Sequence, residues 1–270
     1  MAPSDRVSAF HRLHASGCFV IPNPWDRGSA RLLAQLGFPA LATTSSGFAW
    51  SMGRPDNGVT LDQALAHFRA LAEAVEIPVS ADFEHGFADP PAQVAEHVSA
   101  AARTGIAGLS IEDSTGDDAN PLYAFDLAVE RIRAARAAID ASGTGVLLTG
   151  RSEGFVVGRP DLAETMRRLT AYAAAGADCL FAPGIKSVAD ITAVVRAVAP
   201  KPVNVLVGSD WTTVPKLAEL GVRRISTGGA LARAAWAGFL TAAKEIATEG
   251  TFGALAKAVQ LSGDMNRAFS

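Results

Sequence analysis

The chain reads as a single-domain (β/α)8 barrel, and three observations predict it. Short apolar strand patterns alternate with amphipathic helical patterns eight times along the 270 residues. Glycine marks the passage from a helix to the next strand at four places, Gly37, Gly105, Gly176 and Gly221, where the left-handed conformation can end a helix. After the first strand comes Pro24-Trp25-Asp26, which is no phosphate loop and argues against a doubly wound open sheet.

In chain order, strands are predicted over residues 19–23, 40–46, 78–83, 108–113, 145–151, 179–183, 202–207 and 224–227. Helical periodicity follows over 26–36, 61–75, 91–104, 126–142, 161–175, 187–198, 213–220 and 230–248. No low-complexity linker divides residues 1–270. Residues 230–270 form a C-terminal helical region, in which Trp236, Phe239 and Leu240 spread over more than one helix face. The hydrophobic fraction of 49% and charged fraction of 19% suit a well-buried globular protein. A net charge of −3 with no Lys/Arg-rich run argues against nucleic acid as a partner. No apolar run reaches membrane-spanning length, and residues 1–16 lack the apolar core of a secretory signal. Cys18 and Cys179 lie in separate apolar segments and read as reduced thiols of a cytoplasmic protein.

In a barrel of this class the chemistry sits at the C-terminal ends of the strands. Strand 3 ends in Asp82-Phe83-Glu84-His85-Gly86-Phe87, and strand alternation puts Asp82 and Glu84 on one side. Adjacent carboxylates call for a shared proton or a divalent cation, unless they are simply solvated acids at a strand end. Strand 4 ends in Glu112-Asp113 and strand 5 in Arg151-Ser152-Glu153, while Asp56 lies in the polar loop after strand 2. Asp56, Asp82, Glu84 and Glu112 could surround one Mg²⁺, with Mn²⁺ as a substitute. Arg151 matches a planar substrate carboxylate, or else is the internal counter-ion of Glu112 or Glu153. His85 is a candidate base, although alternation turns it away from Asp82 and Glu84; Glu153 and Tyr123 are further candidates. The loops Ser226-Thr227-Gly228-Gly229 and Val207-Gly208-Ser209 either bind phosphate or merely allow tight turns. Strand 6 carries no lysine for a Schiff base.

Six segments in this order resemble the isocitrate lyase/phosphoenolpyruvate mutase superfamily across nearly the whole chain. They are Asn23-Pro24-Trp25-Asp26, Ser46-Gly47, Asp82-Phe83-Glu84-His85-Gly86-Phe87, Ile111-Glu112-Asp113, Gly150-Arg151-Ser152-Glu153 and the stretch from Tyr172 to Asp178. The resemblance implies Mg²⁺ bound directly by Asp82, with Asp56, Glu84 and Glu112 reaching it directly or through water. It implies a 2-oxo acid or enolpyruvate substrate whose carboxylate meets the backbone amides at Gly47 and Phe48, with Ser46 and Trp25 beside it. It also implies a homotetramer that exchanges its eighth helix. The loop 114–123 departs from the family: it has neither the cysteine segment of the lyases nor the lysine of the mutases, and Asn120 alone echoes the latter. The expectation is therefore a C–C lyase or decarboxylase on an oxaloacetate-like acid. C–P mutase or hydrolase chemistry and a catalytically silent 2-oxo-acid binder are the alternatives.

Overall fold

The computed structural model of the protein describes residues 2–270. Helix α1 (Pro3–Ala15) leads into β1 (Phe19–Ile21), α2 (Arg27–Gln35), β2 (Leu41–Ala42), α3 (Ser45–Ser51) and α4 (Leu61–Ala74). The alternation continues through β3 (Val79–Asp82), α5 (Pro91–Ala102), β4 (Gly108–Glu112), α6 (Phe125–Ser142), β5 (Leu147–Arg151) and α7 (Leu162–Ala174). It ends with β6 (Cys179–Phe181), α8 (Val188–Val198), β7 (Val203–Leu206), α9 (Val214–Glu219), β8 (Arg224–Ser226) and α10 (Ala230–Glu249), α11 (Gly253–Ser262) and α12 (Met265–Phe269).

The eight strands are all parallel, in the order β1-β8-β7-β6-β5-β4-β3-β2. β1 and β2 share no ladder, but Ala42 N donates to Pro22 O (3.1 Å) across the seam. Asn23 secures the same place from above: its amide donates to Thr43 O (2.8 Å), and its Oδ1 accepts from Thr227 N and Gly228 N (both 2.9 Å). The barrel foreseen from sequence is present, nearly closed by ladders and joined at the seam by one backbone bond and Asn23.

The helices form for local reasons. In α4, Thr60 and Gln63 build a capping box, and Ala64, His67, Phe68, Leu71 and Ala72 recur at helical spacing to make the buried stripe. In α7, Asp161 caps the first turn and Thr165, Arg168, Leu169 and Tyr172 face inward. At the bottom, Phe10 of α1 packs so close to Gly108 that a Cβ there would lie 2.5 Å from its ring; only glycine fits.

Three differences from the sequence reading have physical causes. The second strand is only Leu41–Ala42, because Thr44 accepts from Gly47 N and so starts α3 where an extended strand end was expected. Helix α1, absent from the predicted helices, buries Val7, Phe10 and His14. The C-terminal region is three helices; α12 returns to α2, where Arg31 and Gln35 donate to Phe269 O and Ala268 O. Among the described residues no helix is long and apolar enough to cross a membrane.

Candidate active site

Strand β3 delivers Asp82 to the rim of the barrel. Its backbone N–H donates to Thr43 Oγ1 (2.8 Å), and its carboxylate accepts from Ser45 N (2.9 Å) and Arg151 Nη1 (3.1 Å). Two residues on, Glu84 is no longer in a strand: its φ is +49°, in the left-handed region. Strand alternation therefore does not place Glu84; a turn does. The turn buries it to 3% exposure, with its backbone O accepting from Glu112 N (3.0 Å). Burial, then the charges of Asp82 and Asp56, push the Glu84 carboxyl up to about 8, with Arg151 opposing.

Glu112, at the end of β4, accepts from Ser114 Oγ (2.6 Å) and pairs with Arg151 Nη1 (3.0 Å). Burial raises its pKa despite Arg151. Arg151, at the end of β5, sets its Nε and Nη2 on the two oxygens of Glu153, the second at 3.1 Å. The fork that matches a planar carboxylate is thus closed on Glu153, and the internal counter-ion role read from sequence is the one the structure displays. Glu153 is fixed in turn by its N–H to Asp113 Oδ1 (2.7 Å), while Asp113 Oδ2 accepts from Arg168 (3.0 Å) and the Tyr172 hydroxyl (2.6 Å). Asp56 reaches the same cluster from the loop after α3; burial and then Asp82 raise its pKa, and a hydrogen bond from Ser45 opposes. Asp56, Asp82, Glu84, Glu112 and Glu153 thus share a single guanidinium, that of Arg151.

Other expected residues are placed differently. His85 faces Arg131, Asp89 and His97; burial and then Arg131 lower its pKa, and no acid of the cluster bears on it. Gly47 N and Phe48 N are both occupied within the first turn of α3, by Thr44 Oγ1 (3.3 Å) and Thr44 O (3.1 Å). The amides expected to hold a substrate carboxylate are therefore cap bonds. Ser46, whose hydroxyl lies 3.1 Å from that of Thr44, is the residue of this turn that lines the cavity together with Thr44 and Ser45. Phe48 turns outward to stack on His67 (3.8 Å between ring centroids), and Trp25 packs behind Gly47. The Thr227 and Gly228 amides go to Asn23, so the turn after β8 is a tight connection and not an open phosphate cradle. Tyr123 donates to Asp89 and lies under Arg131 (4.0 Å), although the charge of Glu112 still bears on it.

A cavity of about 190 Å³ descends from Asp56, Asp82 and Arg151 into the barrel, lined further down by Asn204 and Arg224. Neither of these two had a signal at a strand end; both sit inside a strand, where a polar residue in the lumen is the only hint. Among the described residues no group of three acid, histidine or cysteine side chains converges as metal ligands would. The donor set still suits a hard divalent cation, being carboxylate oxygens in excess of positive charge, with no protein donor on the buried Glu84 carboxylate.

This excess predicts a pH dependence. Between the ordinary carboxyl value of 4.5 and about 8, folded Glu84 keeps a proton that the unfolded chain releases. Its contribution to stability therefore falls as pH rises through that window. In chelator, the melting temperature of Glu84→Gln should decline less between pH 5 and 8 than that of the parent, by circular dichroism. Parallel profiles would show that Glu84 does not carry the excess proton.

The phosphoenolpyruvate phosphomutase family model matches residues 10–247. A crystal structure from Burkholderia cenocepacia J2315, assigned as a lyase/mutase, superposes with a TM-score of 0.95 at 50% identity, covering 99% of this chain and 97% of that one. An oxaloacetate decarboxylase of Bradyrhizobium diazoefficiens is 31% identical over 192 residues, 68% of this chain and 65% of its own. Oxaloacetate acetylhydrolase in complex with oxalate superposes at 0.84 with 26% identity, covering 94% and 90%.

Proposed function

Because the chain belongs to the phosphoenolpyruvate phosphomutase family, an enzyme family of the isocitrate lyase/phosphoenolpyruvate mutase superfamily, we propose that it cleaves a C–C bond in an oxaloacetate-like 2-oxo diacid. One observation carries this reading: acids that can hold a cation against an enolate gather at the ends of β3, β4 and β5, while the loop 114–123 brings no cysteine, lysine or histidine. Asn120, the one echo of a mutase loop, donates to Asp117 of its own loop (3.3 Å). A decarboxylation asks least of such a site. The C3–C4 bond breaks, its electron pair forms the C2–C3 double bond as the carbonyl pair passes to the 2-oxo oxygen, CO₂ leaves, and C3 of the enolate takes a proton from water.

Asp82 would hold a divalent cation, with Asp56, Glu84 and Glu112 contributing directly or through water. Bound there, Mg²⁺ or Mn²⁺ supplies a Lewis acid at the oxygen where charge develops. The chain's own residues do the rest. Ser46, on the cavity wall, supplies a hydroxyl for the substrate carboxylate. Arg151, whose Nη1 is shared between Asp82 and Glu112, brings positive charge to the cavity in which the substrate would sit. Glu153 and Asp113 orient that guanidinium as positioning residues.

Oxaloacetate and phosphonopyruvate, each supplied with Mg²⁺ and followed by ¹H and ³¹P NMR, test the proposal. Pyruvate should form from oxaloacetate faster than without enzyme. The family model also favours C–P chemistry; phosphorus transfer with no C–C cleavage would establish that reading instead, and binding without turnover of either would leave a 2-oxo-acid binder.

The expected tetramer is part of this proposal. On α10 only Ala232 and Ala242 are buried, while Phe239 is 59% exposed and Trp236 and Leu240 stand beside it. Such a face calls for a second copy of the chain. Light scattering at micromolar concentration should give four times the chain mass, and a monomer would exclude the exchange.

A further inference from the structure

Barrels of this class usually fill their interior with Val, Ile and Leu. Here the cavity is lined, beside Ile21 and Leu206, by Ser80, Ser110, Asn204, Ser226 and the side chain of Arg224, which is 5% exposed. The Arg224 guanidinium crosses the lumen from β8. Its Nε donates to Asn204 Oδ1 (2.9 Å), its Nη2 to Thr149 Oγ1 of β5 (3.1 Å), and its Nη1 lies 3.3 Å from His14 Nε2. His14 Nδ1 is 2.8 Å from Phe10 O, so that nitrogen carries the proton and Nε2 accepts from Arg224.

All three partners are therefore neutral. Among the described residues Arg224 makes no ion pair, and the titratable groups that bear on its charge are His14 and Cys179. Burial pushes the Cys179 thiol up, so it stays uncharged and balances nothing. Burial likewise holds His14 down at about 3, leaving it a neutral acceptor. A guanidinium has five N–H bonds, and these three contacts leave one on each Nη. A buried cation without a counter-charge is costly, and the usual remedies are a partner ion or deprotonation; arginine is too basic for the second. The first is available, because the cation lines a cavity that opens at the rim.

We propose that the floor of this cavity is a binding site for one small monoanion, with Arg224 as its cation and Asn204 and Ser226 beside it. The occupant is either a free ion of halide or carboxylate size or the distal carboxylate of a diacid held above. The second source rests on the function proposed above; the first does not.

Bromide is the probe. Crystals transferred from chloride-free solution into sodium bromide should show an anomalous peak beside the Arg224 guanidinium. In solution, the melting temperature should rise with bromide and saturate, at ionic strength held constant with gluconate, which is too bulky for the floor. Asn204→Asp supplies an internal carboxylate at nearly unchanged size. It should raise the melting temperature without added anion and abolish the bromide response, so the test does not depend on Arg224→Gln folding. Titration calorimetry with Mg²⁺ then separates the sources. If the diacid reaches the floor, Asn204→Asp should weaken malonate by about 10- to 100-fold and leave pyruvate unchanged, and bromide should compete with malonate alone. If a free ion sits there, malonate affinity should be indifferent to bromide. A bromide peak without diacid binding would refute the proposed substrate class and uphold the site. No peak, and no bromide response in the parent protein, would overturn it.

Discussion

Asp82→Ala should lower turnover by about 10³ while the barrel stays folded. The side chain holds no core contact; it accepts from Ser45 N and from Arg151 at the rim. Its loss removes the carboxylate proposed to hold the cation directly, and removes one of the charges that raise Glu84 and Asp56. The stability change should therefore be small. Asp82→Asn is the sharper control, because its amide oxygen can still accept from Ser45 N while the charge is gone. Both variants should be inactive with Mg²⁺ at saturation, and both should melt within a few degrees of the parent. Activity within tenfold of the parent in Asp82→Asn would remove Asp82 from the cation site.

Arg151→Met should be the most destabilising change at the rim, by about 3–5 kcal/mol at neutral pH. The guanidinium is the common partner of Glu153, Glu112 and Asp82. Without it, Glu153 and Glu112 are buried with no cation, and their recourse is to take up protons. Burial already raises both carboxyls, and losing Arg151 removes the charge that holds them down. The deficit should therefore shrink as pH falls toward 5, where protonated carboxyls no longer need a partner. Urea denaturation at pH 7.5 and 5 reads both values. A loss below 1 kcal/mol, or one independent of pH, would show that the acids are neutralised by something other than Arg151. Arg151→Lys keeps the charge but not the fork on Glu153, and should fall between the two.

The barrel was legible in the sequence because its signals are local. Each helix repeats its apolar residues over one or two turns, as α4 does from Ala64 to Ala72, and the glycines at 37, 105, 176 and 221 all have positive φ. The acids were legible for a related reason: the ends of β3, β4 and β5 fall where the fold class puts its chemistry. Glu84 shows where this reasoning stops. The alternation argument requires an extended backbone, and a φ of +49° ends it, yet the resulting turn still buries Glu84 beside Asp82 and Asp56. The reading of Gly47 and Phe48 stops at the same kind of place, since a capping hydroxyl from Thr44 occupies an amide that the motif alone leaves free.

The amino-acid sequence by itself determined the alternation of eight strands with helices, though not α1 or α3, together with the family resemblance and the inventory of carboxylates, since periodicity and composition at strand ends need only near neighbours. Tertiary structure alone decided which partner each charge meets. Asn23 joins Gly228 across 205 positions, Arg151 joins Asp82 across 69, and Arg224 reaches Thr149 across 75. Each pairing depends on strand order and register around a closed ring, and on side-chain reach of a few ångströms, neither of which a local pattern encodes. That is why Arg151 had two open readings until its fork was seen on Glu153, and why an arginine inside β8 carried no signal until the lumen around it proved to hold no acid.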